Sequence, residues 1–373
     1  MQVEKVRLFF SEEKNQKTFN SAPAYRYRPW PAGWYQAERL RVFCVFFSKK
    51  KVFLLALLLW ATPARAITCS VAVSNVAFGN VALLGGLAQD SSASATVTCS
   101  GGTSLTTYIF CINIYAGSNV SGTQRNMAGG GAKLPYALYA DTLYAVPWGS
   151  WTGAYLTAGV QANATTLVAG TISLPLTVYA QIPAGQAGAS VGSYTDTLPG
   201  SANQALQYAA YGGAGNTACP LTGSGVTTSQ FSFSVSATVT TACNVQNGSL
   251  TFSTVSTLSA AIEGSGSLGV ACSGAAPYSV GLGPGNYASF NQRRMYSLLT
   301  NSYVSYNLFT DSGYADPWST TTSASSCTGG ASTCYLGIGN GAYQTVPVYG
   351  TVPAQAGEAA GIYSDTVTAT VTY

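Results

Sequence analysis

The chain has 373 residues and a formal net charge of +4 with no histidine, and only 8% of its residues are charged. Histidine-dependent acid–base, nucleophilic and zinc chemistry is excluded from the start. The basic balance is confined to the first 66 residues, because beyond them Arg125, Lys133, Arg293 and Arg294 face eight acidic residues, a net charge of −4. Nothing in that remainder supports nucleic-acid binding.

Residues 1–48 are rich in Lys, Arg and aromatics and resemble nothing later in the chain, which reads as a mis-assigned translation start or a leader extension. Lys49-Lys50-Lys51, the apolar run Val52 to Ala61 and Pro63-Ala64-Arg65-Ala66 then have the order of a secretory signal peptide over residues 49–66. The run is too short to span a bilayer. Cleavage after Ala66 leaves an exported chain with no transmembrane segment.

That chain is written twice. Val178-Tyr179-Ala180-Gln181-Ile182-Pro183-Ala184 and Tyr194-Thr195-Asp196-Thr197 return as Val348-Tyr349-Gly350-Thr351-Val352-Pro353-Ala354 and Tyr363-Ser364-Asp365-Thr366. Cys69 answers to Cys243, Cys99 to Cys272, Arg125 to Arg293 or Arg294, Asp141 to Asp311 and Pro147-Trp148 to Pro317-Trp318. A period of 170 residues is that of a duplicated domain and exceeds any solenoid repeat.

Stretches such as Ser94 to Cys99, Tyr108 to Ile114, Leu174 to Tyr179 and Asp365 to Tyr373 alternate with period two and are separated by Gly, Asn and Ser clusters. Strands joined by small-residue turns follow, and no stretch carries helical periodicity with caps. The expectation is an all-β protein of two tandem sandwiches. The first spans residues 67–229, a linking segment 230–242, and the second 243–373.

Eight cysteines follow the leader, and an even count in an exported chain reads as disulfides. The repeat pairs Cys69 with Cys99 and Cys243 with Cys272. Elimination then leaves Cys111 with Cys219 and Cys327 with Cys334. The absence of Cys-x-x-Cys argues against a metal, and neither a cofactor nor catalysis is expected. Asp141 and Asp196 recur as Asp311 and Asp365, which fits turn hydrogen bonds better than a pair of catalytic carboxylates.

The Cys-x-Val opening, the Val-Tyr-x-x-(Ile/Val)-Pro-Ala motif and the closing Tyr-(Ser/Thr)-Asp-Thr strand together resemble the spore coat protein U domain, the pilin-like module of archaic chaperone-usher (Csu-type) pili. The resemblance implies an incomplete immunoglobulin-like fold. Its missing strand is supplied by a periplasmic chaperone and then by an adjacent pilin, with an outer-membrane usher as further partner.

Within that resemblance the two copies are expected to be unequal. A shaft pilin carries a donor segment ahead of its first cysteine, whereas here Ile67 and Thr68 alone would precede Cys69. Ahead of the second copy, Phe231, Phe233, Val235, Ala237 and Val239 share one face of an alternating segment that leads into Cys243. This segment is a candidate donor strand completing the first copy in cis; alternatively it is that copy's last native strand. The second copy is expected to take an external strand. A chain that accepts but does not donate belongs at the pilus tip, outside the cell.

Binding is sought where the copies differ. Trp148 to Tyr179 and Trp318 to Tyr349 both span 31 residues, yet Trp151, Tyr155 and Leu156 have no counterparts in the second copy. With Tyr144, the turn bearing Leu83, Leu84 and Leu87, and Tyr208 and Tyr211, they are the candidate surface-contact residues of an adhesin acting in attachment and biofilm formation on an abiotic surface or an unknown receptor. A lectin-like module with Trp151 and Tyr155 as sugar-stacking platforms, and a structural coat or shaft subunit, are the alternatives.

Overall fold

The computed structural model describes residues 66–153, 155, 158–167, 170–319 and 334–373. Among them twenty strands form four sheets, and the helical content is two single 3-10 turns, Leu83–Gly85 and Gly213–Gly215. No helix of the described residues is long and apolar enough to cross a membrane.

The first domain contains β1 (Thr68–Val73), β2 (Val76–Val81), β3 (Gln89–Ser100), β4 (Thr107–Ile112), β5 (Arg125–Gly129), β6 (Ala132–Tyr139), β7 (Val160–Thr165), β8 (Ile172–Ile182), β9 (Gly192–Leu198), β10 (Ala205–Ala210), β11 (Thr227–Gln230) and β12 (Phe233–Val239). One sheet runs β1-β3-β8-β6-β5-β9-β12-β2 and the other β11-β10-β4-β7. Their inward side chains make a single core that includes Val97, Phe110, Tyr136, Trp148 and Val178.

The second domain contains β13 (Cys243–Phe252), β14 (Ile262–Cys272), β15 (Pro277–Leu282), β16 (Arg293–Ser297), β17 (Ser302–Phe309), β18 (Tyr335–Ile338), β19 (Gln344–Val352) and β20 (Ala369–Thr372). Its sheets run β13-β14-β19-β17-β16 and β18-β15-β20. Strand by strand, β13, β14, β15, β16, β17, β18, β19 and β20 repeat the pairings of β1, β3, β4, β5, β6, β7, β8 and β10.

The repeated residues hold repeated positions. Cys69 faces Cys99, and Cys243 faces Cys272, across directly paired antiparallel strands, and both pairs are disulfide-bonded with Cα–Cα distances of 4.0 and 4.1 Å. Cys111–Cys219 is bonded as well. Cys334 is in a disulfide, while Cys327 lies outside the described residues. Asp141 accepts the backbone N–H groups of Leu143, Ala145 and Val146, and Asp311 those of Gly313, Ala315 and Asp316. Those bonds hold both carboxyls below their ordinary pKa.

The repeated arginine is Arg125 with Arg293. Each guanidinium is buried and donates to backbone carbonyls: Arg125 to Ile114, Tyr115 and Trp148, Arg293 to Leu282, Gly283, Trp318 and Ser319. Burial lowers both pKa values from the ordinary arginine range. A planar cation with five donors ties together the strand ends that a lysine could not reach at once.

The domains meet closely. Val191 N–H donates to Gly274 O at 3.1 Å, and the Ser273 side chain accepts from Ala242 N–H at 3.0 Å, so the short connection into β13 is pinned on both sides. Gly274 has to be glycine here, since a Cβ would collide with the Gly188 carbonyl.

Candidate functional site

The site follows from one strand. β12 lies between β9 and β2, antiparallel to the first and parallel to the second. Phe233 stands opposite Leu198, Val235 opposite Asp196, Ala237 opposite Tyr194 and Val239 opposite Gly192. All four β12 side chains are buried in the core, whereas Ser234, Ser236 and Thr238 between them face outward. The alternation in the sequence is thus the alternation between core and surface.

The segment 230–241 does not form one continuous strand. Gln230 ends β11, where it pairs with Ala205 in the other sheet, and β12 begins at Phe233. Phe231 sits at the crossing, buried and stacked on Phe233 at 6.4 Å.

Behind β12 lies a polar cluster. Asp196 is buried and accepts from the Tyr136 hydroxyl at 2.7 Å and from Asn119 N–H at 3.1 Å. Burial, then the neighbouring Asp196 charge, pushes the Tyr136 phenol far above its ordinary value. The second domain repeats it: Asp365 accepts from the Tyr306 hydroxyl at 2.7 Å and from Asn286 N–H at 2.9 Å.

What the second domain does not repeat is the cover. Among the described residues no strand lies alongside residues 363–367 on the side that β12 occupies in the first domain, and β2 and β11 likewise have no counterpart strand. Tyr363, Asp365, Val367 and Met295 are half-exposed, whereas their equivalents Tyr194, Asp196, Leu198 and Met127 are buried. In the second domain Tyr363, Val367 and Met295 are therefore left partly exposed where the first domain covers their equivalents.

The predicted surface-contact residues separate. Tyr155 is buried: its ring covers the Arg125 guanidinium at 5.0 Å and its hydroxyl donates to Thr123 O at 2.9 Å. Tyr208 is buried with its hydroxyl accepting from Cys69 N–H at 3.0 Å, and Leu83 is in the core. These three do not reach a surface, which corrects the expectation for them. Leu156 lies outside the described residues.

Trp151 is half-buried, packed on the cluster of Ile109, Cys111, Ala209 and Leu221, and its backbone N–H donates to Asn113 Oδ1 at 2.9 Å. Tyr144 packs edge-on between Tyr139 and Tyr179, and Tyr314 does the same between Phe309 and Tyr349; both have φ 54°. That repetition makes Tyr144 a feature of the fold. Leu84 is half-buried and Leu87 exposed, but their turn follows β2 at its Val81 end, beside Val239 and the connection to the second domain.

The predicted loops therefore do not converge. Tyr211, 47% exposed, stands instead at the opposite end of the first domain with two residues the sequence reading missed, Leu105 (74%) and Leu167 (67%). The loops bearing them are tied together: Leu105 N–H donates to Thr166 O at 3.2 Å and Tyr211 N–H to Thr107 O at 2.9 Å. Leu105 has φ 58°, a conformation costly for a residue with a Cβ. The three loops adjoin at the Ile172 end of β8, away from the domain joint at its Ile182 end.

The chain matches the family model for the Spore Coat Protein U domain twice, over residues 55–200 and 229–370. Protein U of Myxococcus xanthus is 34% identical over 124 residues, which span 32% of this chain and 64% of that relative, somewhat under two thirds of its length. Among solved structures, a chain of the CsuC–CsuE chaperone-tip adhesion subunit pre-assembly complex from archaic chaperone-usher Csu pili of Acinetobacter baumannii is similar at TM-score 0.45 and 19% identity, covering 82% of this chain and 100% of that one. The CupB6 tip adhesin of Pseudomonas aeruginosa is similar at TM-score 0.29 and 14% identity, covering 82% and 95%. By its two matched regions, the chain belongs to the Spore Coat Protein U domain family.

Proposed function

We propose that the chain is an exported pilus subunit in which the first domain is a binding head, completed in cis by β12, and the second is an acceptor for a strand from another polypeptide. The observation that carries this reading is the contrast between the filled groove at Tyr194, Asp196 and Leu198 and the open one at Tyr363, Asp365 and Val367. An exposed apolar groove flanked by unpaired backbone is a template for strand addition. A periplasmic chaperone fills it first, an usher receives the complex, and the adjacent pilin then replaces the chaperone strand.

The same reading puts the subunit at the fibre end, with the Leu105, Leu167 and Tyr211 patch outermost and available for apolar attachment to a surface. The lectin-like alternative loses ground, because Tyr155 is buried against Arg125 and Trp151 is largely taken up by packing. Immunogold electron microscopy with antibody to the first domain tests the placement. Gold confined to fibre ends is expected; gold spaced along the shaft contradicts it.

A further inference from the structure

The outer face of the second domain carries an aromatic cluster that the proposed assembly does not use. Along β16 the side chains alternate, with Arg293 and Ser297 buried and Arg294 and Tyr296 turned to the other face. There Tyr287, Tyr296 and Tyr303 gather, with ring centroids 5.0 Å apart for Tyr287 and Tyr296 and 5.1 Å for Tyr296 and Tyr303. Tyr287 is 38% and Tyr303 39% exposed.

Arg294 completes the cluster. Its Cζ lies 4.3 Å over the Tyr303 ring, and its Nε–H donates to Tyr287 O at 3.0 Å. That single bond and the ring stack orient the guanidinium, while its two terminal nitrogens have no hydrogen-bond partner among the described residues. The Tyr296 hydroxyl donates to Asn301 Oδ1 at 3.0 Å.

The fold does not require any of this. The pairs Arg125 with Tyr136 and Arg293 with Tyr306 align the copies, and in that register Asn126, Ala128 and Lys133 stand where Arg294, Tyr296 and Tyr303 stand in the second domain. In a domain with so few charges, an oriented guanidinium on a half-exposed aromatic platform is a recognition element. Arg125 and Arg293 are buried, so Arg294 is the one arginine among the described residues that can reach a ligand.

We infer that this cluster is a binding site for a carboxylate-bearing saccharide, a segment of an acidic polysaccharide. The C–H face of a sugar ring packs on the tyrosines, and the amphipathic rings tolerate the hydroxyl-rich rim. The uronate carboxylate accepts two parallel N–H bonds from the free edge of Arg294, a geometry that a planar guanidinium provides and an ammonium does not. Stacking on Tyr303 holds the cation in place before the ligand arrives, so little side-chain freedom is lost on binding. The site lies in the second domain and is independent of the adhesive reading of the first.

Isothermal titration calorimetry of the full exported chain with hexagalacturonate, and with neutral maltohexaose as comparison, tests the inference. Hexagalacturonate is expected to bind, maltohexaose to bind at least about tenfold more weakly, and Arg294→Gln to weaken the acidic ligand at least about tenfold. Tyr303→Ala should do the same, and Lys133→Gln should change nothing. Arg294 is on the surface, so Arg294→Gln keeps the fold and the comparison decisive even where Tyr303→Ala does not. No binding of hexagalacturonate, equal binding of the two oligosaccharides, or full affinity in Arg294→Gln would overturn the inference.

Discussion

Tyr194 and Tyr363 hold the same place in the two domains and differ in what covers them. Each hydroxyl donates to the carbonyl four residues earlier, Ser190 at 2.8 Å and Ala359 at 2.7 Å. Tyr194 faces Ala237 of β12 and is 1% exposed, whereas Tyr363 is half-exposed with no such strand over it among the described residues. The two domains share a framework, and the first carries over this position a strand, β12, that the second lacks among its described residues.

Removing a β12 side chain should therefore damage the first domain alone. Phe233→Ala is expected to lower the stability of the first domain by about 3–5 kcal/mol, the cost of deleting a buried aromatic. Differential scanning calorimetry of the full chain should show one transition moving to lower temperature and a second unmoved. Two transitions shifting together would mean that β12 serves both domains.

Arg125 is expected to be structural. Arg125→Met keeps the length of the side chain but leaves the Ile114, Tyr115 and Trp148 carbonyls without their donor, at about 3 kcal/mol or more. Urea unfolding should show the loss in the first domain. Arg293→Met should produce the corresponding loss in the second.

Tyr136 and Tyr306 are expected to weaken stability at alkaline pH. Burial raises both phenols well above their ordinary value of 10.0, so in the folded state they keep their protons while the unfolded chain gives them up. Their contribution is fully present below about pH 10 and drains away as the pH climbs toward the raised folded values. Stability measured from pH 8 to 12 should fall above about pH 10, and Tyr136→Phe should make that fall shallower.

The distal patch should govern attachment. Each of Leu105, Leu167 and Tyr211 offers an apolar side chain worth about 1.5–3 kcal/mol when fully covered. The triple substitution to Ser is expected to reduce attachment of the piliated cell to polystyrene at least about tenfold, with thermal stability nearly unchanged because the three side chains are exposed. Trp151→Ser should show the reverse pattern: a less stable head with attachment retained. If attachment follows Trp151 and ignores the patch, the patch is not the contact surface.

The sequence carried the framework because its signals were local. Alternation at Phe233, Val235, Ala237 and Val239 reads directly as a one-faced strand, and the duplication exposes the cysteine pairs and the turn-forming role of Asp141 and Asp311. The candidate contact residues were harder, since exposure depends on partners far away in the chain. Tyr155 looked like a free loop aromatic because nothing nearby in sequence shows that Arg125, thirty residues upstream, needs a ring over it. The loops that bear Leu105, Leu167 and Tyr211 adjoin only through the pairing of β7 and β10 with β4. A single apolar residue in each of three loops gives no local signal, although the three adjoining loops could have been found from strand order.

Hydrogen exchange on the purified full chain, before and after adding a peptide of the β12 sequence, tests the central claim most directly. The account predicts that amides of Phe233–Val239 are protected as strongly as those of the first domain's core. It also predicts that amides of residues 363–367 exchange rapidly until the added strand protects them. Rapid exchange along β12, or residues 363–367 already protected in the free chain and unchanged by the peptide, would contradict it.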